Sequence, residues 1–257
     1  MDVLFLGTGT SHGVPMIGCE CPVCRSTDAR DTRSRPSVLL TLDDGLRLLV
    51  DTSTDLRAQA LRFKVTRVDA ILYTHSHADH VLGFDELRRF NAIQDGDLPA
   101  YGDEGTLADL RRMFTYAFED PAPVGGGVPR IRLHRVDGPF RLGGATCVPV
   151  PIMHGPRPIL GYRIGRFAYL TDCSEIPGSS LPLLEGLDVL VVSALRHRPH
   201  PTHFSLSQAV EAAGRVGAER TFFTHMCHDL GHAETSARLP AGVELAYDGL
   251  FVHVPQA

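Results

Sequence analysis

Three histidines and an aspartate occupy six consecutive positions, His75-Ser76-His77-Ala78-Asp79-His80. Imidazole and carboxylate are the ligand types that suit zinc, manganese or iron at a hydrolytic site. In extended chain His75 and His77 point the same way and reach one ion, and a turn after Ala78 would send Asp79 and His80 to a second point nearby. So compact a set favours two adjacent ions over one. A second cluster lies upstream. Cys19, Cys21 and Cys24 supply three thiolates within six residues, a structural zinc signal that lacks only a fourth ligand. His228 is the choice for that ligand, three residues beyond His225, with Cys227, His12 and His232 as substitutes. Cys147 and Cys173 stand alone and read as small buried residues.

The elements around these residues suit α/β chemistry. Val3 to Leu6 reads as a short buried strand, and residues 11–36 form a long irregular segment that needs a staple. Strands over 37–42 and 46–51 flank Asp43-Asp44-Gly45, a hairpin turn signal. Helical spacing covers 54–63 and 103–118, and a strand over 68–73 ends two residues before His75. The Pro- and Gly-rich stretch 120–130 reads as a mobile surface loop. Further strands are expected at 131–136, 146–152, 160–164, 166–171, 187–192 and 221–224. Ser205-Leu206-Ser207-Gln208 fits a capping box that opens a helix to about Val216. A short helix over 234–239 and strands within 242–254 complete the chain. Every candidate chemical residue falls just after a strand, the usual place for sites in α/β folds.

The chain has 257 residues, 43% hydrophobic and 21% charged, enough for one sizeable core, and no repeat or linker divides it. One domain over 1–257 is expected. A net charge of −5 gives no bulk attraction to nucleic acid, and any phosphate binding must be local. No apolar run approaches the roughly 20 residues of a membrane span, and residues 1–10 lack a signal-peptide pattern, so a soluble, cytoplasmic protein is expected. Six cysteines then read as thiols or metal ligands.

The motif His75-x-His77-x-Asp79-His80 resembles the signature of the metallo-β-lactamase superfamily, and further landmarks follow in the same order. Asp51 resembles the early structural aspartate, His154 the third histidine of the first metal site, Asp172 the bridging carboxylate and His225 the last ligand. The resemblance spans residues 1 to 250. It implies an αββα sandwich of two mixed β-sheets flanked by helices. It also implies one ion on His75, His77 and His154, another on Asp79, His80 and His225, and Asp172 between them. The three cysteines together with Thr224-His225-x-x-His228 look like the phosphoribosyl 1,2-cyclic phosphate phosphodiesterases of the carbon–phosphorus lyase pathway and their relatives. Those proteins hydrolyse small cyclic phosphodiesters with two divalent ions, zinc or manganese. The PQQ biosynthesis protein B family also resembles the Cys cluster but generally lacks the complete His/Asp set.

The resemblance therefore implies two catalytic Zn2+ or Mn2+ ions, one structural Zn2+, and a small nucleotide or sugar phosphodiester as substrate. The absence of a long apolar run argues against a membrane partner and the net charge of −5 against a nucleic-acid one, and relatives are often homodimers. His203 is the candidate general acid, with His197 and His200 competing, and Asp79 is a candidate for positioning the nucleophile. Arg157, Arg196 and Arg198 are candidates for holding phosphate. The competing readings are a tRNA 3′-processing nuclease, a lactam or thioester hydrolase, and a metal-binding accessory protein of cofactor biosynthesis. The missing basic arm disfavours the nuclease.

Overall fold

The computed structural model describes residues 1–119 and 127–255. Two seven-stranded sheets organise them. The first comprises β1 (Asp2–Gly7), β2 (Ser37–Thr41), β3 (Arg47–Val50), β4 (Ala70–Leu72), β5 (Leu98–Gly102), β6 (Ile131–Arg135) and β14 (Phe251–His253), in the order β14-β1-β2-β3-β4-β5-β6. The second comprises β7 (Phe140–Leu142), β8 (Ala145–His154), β9 (Arg157–Ile164), β10 (Phe167–Leu170), β11 (Val189–Ser193), β12 (Arg220–Thr224) and β13 (Val243–Leu245), in the order β13-β12-β11-β10-β9-β8-β7. Each sheet is mixed: β3 to β6 and β10 to β13 run parallel, and the remaining pairs antiparallel.

Strand periodicity sorts the apolar residues between layers. Leu48, Val50, Ala70 and Leu72 face Tyr169, Val191 and Phe222 across the space between the sheets. The alternate residues Leu49 and Ile71 point outward, onto helices carrying Leu56, Leu87, Phe90 and Leu107. On the other sheet, Ala168, Leu170, Leu190 and Val192 pack against Ala209, Ala212 and Ala213. Strands buried on both faces read as unbroken apolar runs, as Val189–Val192 does. The result is the expected αββα sandwich, with α1 (Leu56–Phe63), α3 (Leu87–Gln94) and α4 (Glu104–Met113) outside the first sheet and α5 (Leu206–Val216) outside the second. Two shorter helices, α2 (Ala78–Val81) and α6 (His232–Ser236), border the site described below.

Two local expectations are corrected, and some elements were not foreseen. The helix expected over 103–118 stops at Met113, because Phe114 leaves helical geometry (φ −117°, ψ 43°) and stacks its ring on Phe84 at 4.4 Å. α3 and β5 are unforeseen: α3 buries only Leu87, Phe90 and Asn91, and β5 carries Pro99, so neither has a strong periodic signal. The last helix spans His232–Ser236 rather than 234–239. Of the loop expected over 120–130, residues 120–126 lie outside the described residues. Segment 11–36 is irregular apart from a 3-10 turn at Ala29–Asp31, and bridge pairs at Val14–Arg33 and Gly9–Met226 hold it. No described helix is long and apolar enough to cross a membrane.

Candidate dinuclear metal centre

The candidate ligands converge where several strands end along one edge of the sandwich. His75 follows β4, His154 closes β8, Asp172 lies just beyond β10, and His225 follows β12 directly. At two of these exits, and at Asp51 just beyond β3, the chain takes a left-handed step: Asp51 (φ 63°), Asp172 (φ 55°) and His225 (φ 58°). Such a step costs of order 1–3 kcal/mol and persists only where surrounding structure enforces it, and it clusters at functional sites. Here Asp172 and His225 join the donor groups, and Asp51 sits behind them on Thr74 and His80. The turn within the His/Asp motif comes one residue earlier than its spacing suggests. His77 is the N-cap of α2, and Asp79 and His80 sit on that helix.

Two groups of donors result. His75, His77, His154 and Asp172 each offer a ligand atom within 4.8 Å of the others, and so do Asp79, His80, Asp172 and His225. Asp172 belongs to both: its Oδ2 is 3.8 Å from His75 Nε2, and its Oδ1 is 3.1 Å from His80 Nε2 and 3.2 Å from His225 Nε2. Asp79 Oδ2 lies 3.4 Å from His80 Nε2 and 3.3 Å from His225 Nε2.

Outer contacts aim the rings. Asp51 accepts His80 Nδ1–H at 2.8 Å, the Thr74 backbone N–H at 2.8 Å and the Thr74 hydroxyl at 2.8 Å. Thr74 Oγ1 in turn accepts His75 Nδ1–H at 3.0 Å. The carbonyls of Asp172 and Thr202 accept His154 Nδ1–H at 2.9 and 2.8 Å. Each bond places the proton on Nδ1 and turns a bare Nε2 lone pair inward, the usual arrangement behind a metal-ligating histidine. The Nε2 atoms of His75 and His80 are buried and have no hydrogen-bond partner among the described residues.

Charge points the same way. Burial opposes ionisation of Asp79 and Asp172, yet the imidazoles of His80 and His225 hold both carboxyls far below the usual range. Burial likewise disfavours a charged His80, but Asp172, Asp79 and Asp51 overcome it and raise its proton affinity well above normal. Two buried carboxylates, Asp79 and Asp172, facing bare imidazole nitrogens form a site that demands cations. The donor set fits divalent ions of the zinc or manganese type.

His203 sits over this cluster on the loop between β11 and α5. Its ring centroid is 4.7 Å from that of His154 and 4.9 Å from that of His225, and its Nδ1 is 3.9 Å from Asp172 Oδ2. Burial, reinforced by His225, pulls its pKa down to about 3. His200 is its neighbour at 5.0 Å, whereas His197 lies apart beside Leu206 and Leu239. A cavity of about 360 Å³ opens beside His203, lined among others by His12, Arg196, Arg198 and His200. The Arg196 guanidinium is committed to the carbonyls of Arg198 and Pro199. Arg157 donates to Ser76 Oγ at 3.0 Å, and Ser76 donates to Asp109 on α4, joining the two sheets at the rim of the site. Asp109 and Thr202 had no signal in the sequence, since a carboxylate on an amphipathic helix and a backbone carbonyl look like any others.

The thiolate cluster is assembled as well. His228 Nδ1 lies 3.1 Å from Cys19 Sγ, 3.4 Å from Cys21 Sγ and 3.6 Å from Cys24 Sγ. Of the substitutes, Cys227 turns away and accepts the Asp229 backbone N–H, His12 lines the cavity, and His232 packs on Tyr247. The Cys24 backbone N–H bonds to Cys21 Sγ and lowers that thiol to about 7, while burial pushes Cys24 up to about 11. Three sulfurs and one imidazole suit tetrahedral zinc.

Fold and donor arrangement together are those of the metallo-β-lactamase superfamily, and residues 46–226 match the β-lactamase superfamily domain, so the chain belongs to that family. Within it, the chain is similar to a solved structure described as a new diphosphatase from the PhnP family, at 46% identity and a TM-score of 0.92, covering 99% of this chain and 98% of that one. It is 37% identical over 227 residues to coenzyme PQQ synthesis protein B of Methylobacterium nodulans, covering 74% of this chain and 72% of that protein. It is 40% identical over 255 residues to a Porphyromonas gingivalis protein named octanoyltransferase, covering 97% of this chain. The chain spans only about half of that relative's length, 51%.

Proposed function

We propose that this chain is a dinuclear-metal-dependent hydrolase of small phosphodiesters. The observation that carries the reading is Asp172, one buried carboxylate shared by two groups of inward-facing imidazoles. His75, His77 and His154 would hold one ion, Asp79, His80 and His225 the other, and Asp172 would touch both. Cys19, Cys21, Cys24 and His228 would hold a structural zinc. Two such ions, when bound, supply the activated nucleophile and neutralise charge building on the phosphoryl oxygens.

The chain's own residues do the remainder. Asp51, Thr74 and the Thr202 carbonyl keep the rings aimed, so that little reorganisation is needed during reaction. Asp79 positions the nucleophile from the second site. His203 faces the leaving group. With its pKa near 3 it is neutral in the free site, and its Nδ1 is buried with no hydrogen-bond partner among the described residues. A phosphate drawn in beside it adds negative charge and raises its proton affinity, which is how it would come to act as the acid expected from the sequence. Arg157, held by Ser76, is placed to meet a phosphoryl oxygen at the rim.

A second reading, cleavage of a diphosphate bond, is favoured by the cavity beside His203, where Arg198, His12 and His200 would meet an anionic leaving group. The printed description of the 46%-identical relative as a diphosphatase agrees with it. The acyl transfer named for the Porphyromonas protein is not carried over to this chain, which spans about half of that protein and gathers His and Asp donors around a cation site. The complete donor set argues against a purely accessory role. Hydrolysis of a nitrophenyl diester, 2′,3′-cyclic nucleotides, ribose 1,2-cyclic phosphate, a dinucleoside diphosphate and pre-tRNA tests the reading, with His80→Ala as control. Turnover of the small diesters that is lost in the variant is expected. Turnover confined to the diphosphate would select the second reading, and silence on every phosphoester would defeat both.

A further inference from the structure

One of the buried histidine donors differs from the other three. His75, His80 and His154 each have an Nδ1–H hydrogen bond that aims the ring, but His225 Nδ1 is buried with no partner among the described residues. Stacking on His203 and His80, at interplanar angles of 16° and 15°, fixes the plane of the His225 ring. Its reach within that plane, toward Asp79 and Asp172, follows from the backbone that carries it.

That backbone is clamped by a residue almost two hundred positions away in sequence. Arg33 is 1% exposed, and its guanidinium donates to Cys227 O at 3.0 Å, Leu230 O at 2.6 Å and Asp31 Oδ1 at 3.1 Å, with Nε 3.3 Å from Arg30 O. Asp31 Oδ1 also accepts the His232 backbone N–H at 2.7 Å. The Arg33 backbone bonds to Val14 in both directions, and a Cβ at Gly9 would lie only 2.7 Å from Arg33 O. Gly9 in turn bridges to Met226. Three segments therefore cross at Arg33. The one its guanidinium grips carries His225 at the dinuclear centre and His228 at the thiolate centre, and its Cys227–Asp229 stretch lines the cavity.

We propose that Arg33 is a positioning residue that locks segment 225–230, so that it presents His225 and His228 to their separate ions in register. The inference rests on the reading that Asp79, His80, Asp172 and His225 hold an ion. It predicts that the two catalytic ions respond differently to loss of the Arg33 fork. The His75/His77/His154 site lies on other segments and keeps its affinity, whereas the site using His225 loses it.

The test is Mn2+ binding to the full chain with its thiolate centre zinc-loaded, followed by electron paramagnetic resonance for wild type, Arg33→Lys and Arg33→Met. Lysine keeps the charge but not the planar fork that spans two carbonyls. Arg33→Lys is expected to weaken the second Mn2+ at least tenfold and leave the first within twofold, as loss of an outer-shell contact does. Arg33→Met, where it folds, is expected to weaken the second ion further, and where it does not fold the lysine variant decides. Arg33→Lys that melts earlier yet binds both ions as wild type does would overturn the proposal and leave Arg33 a purely structural brace. Equal weakening of both ions would overturn it too. Wild-type protein that binds fewer than two Mn2+ at the His/Asp centre would instead remove the metal-site reading beneath it.

Discussion

Asp51 carries three hydrogen bonds and touches no candidate ion, yet through His80 and Thr74 it aims rings in both donor groups. Asp51→Asn would therefore act through metal affinity. A 10- to 100-fold weakening is expected, read by metal titration, with the fold intact by circular dichroism. Unchanged affinity would mean that packing alone orients His80. His203 is different, because it lies beside the donors without belonging to either group. His203→Ala is expected to keep both ions and lose about 10²- to 10⁴-fold in kcat on a poor leaving group, with a smaller loss on nitrophenolate. Equal losses on the two leaving groups would contradict its leaving-group role. His232 gives a pH prediction away from the site. Burial, with Arg30 and Arg33 nearby, pulls its pKa from 6.5 down to about 4. The folded state refuses a proton that the unfolded chain accepts, so this contribution to stability is full above about pH 6.5 and is lost as pH falls toward 4. The Tm of wild type should thus drop more steeply between pH 7 and 5 than that of His232→Gln, and parallel curves would be contrary.

At the scale of elements, the loop that delivers His203 is tied to α5. Ser205 caps the helix with both halves of a capping box, and the Leu206 and Phe204 backbone N–H groups bond to Arg196 O and Cys173 O. Ser205→Ala is expected to cost about 1 kcal/mol of stability and to raise KM more than it lowers metal content. A large loss of metal with unchanged Tm would speak against this linkage. The capping box was legible because its signal is local, and so were the Asp43-Asp44-Gly45 turn and the crowding of residues 75–80. α3 and β5 were not, since their few buried positions gain meaning only against Ile71 and Tyr73 of the neighbouring layer. The remote donors His154, Asp172 and His225 could be picked out only by their order along the chain, because a single histidine or aspartate after a strand carries no local signature. Arg33 was invisible for a related reason: in sequence it is one of several arginines in an irregular segment, and its partners lie 194 and 197 residues away.

Across the whole molecule, the two sheets bring strand ends from both halves of the chain to one edge, and Asp172 stands where the halves meet. The thiolate cluster pins segment 11–36 beside that edge, and the same segment walls the cavity next to His203. A net charge of −5 and a cavity of about 360 Å³ suit a small substrate better than a polyanion. The central claim, that two ions sharing Asp172 act together, is tested most directly by titrating protein whose thiolate centre is zinc-loaded with Mn2+ and following hydrolysis of bis(p-nitrophenyl) phosphate. The account predicts little turnover through the first equivalent and a steep rise with the second. Full activity at one equivalent, or saturation of the His/Asp centre by a single ion, would contradict it.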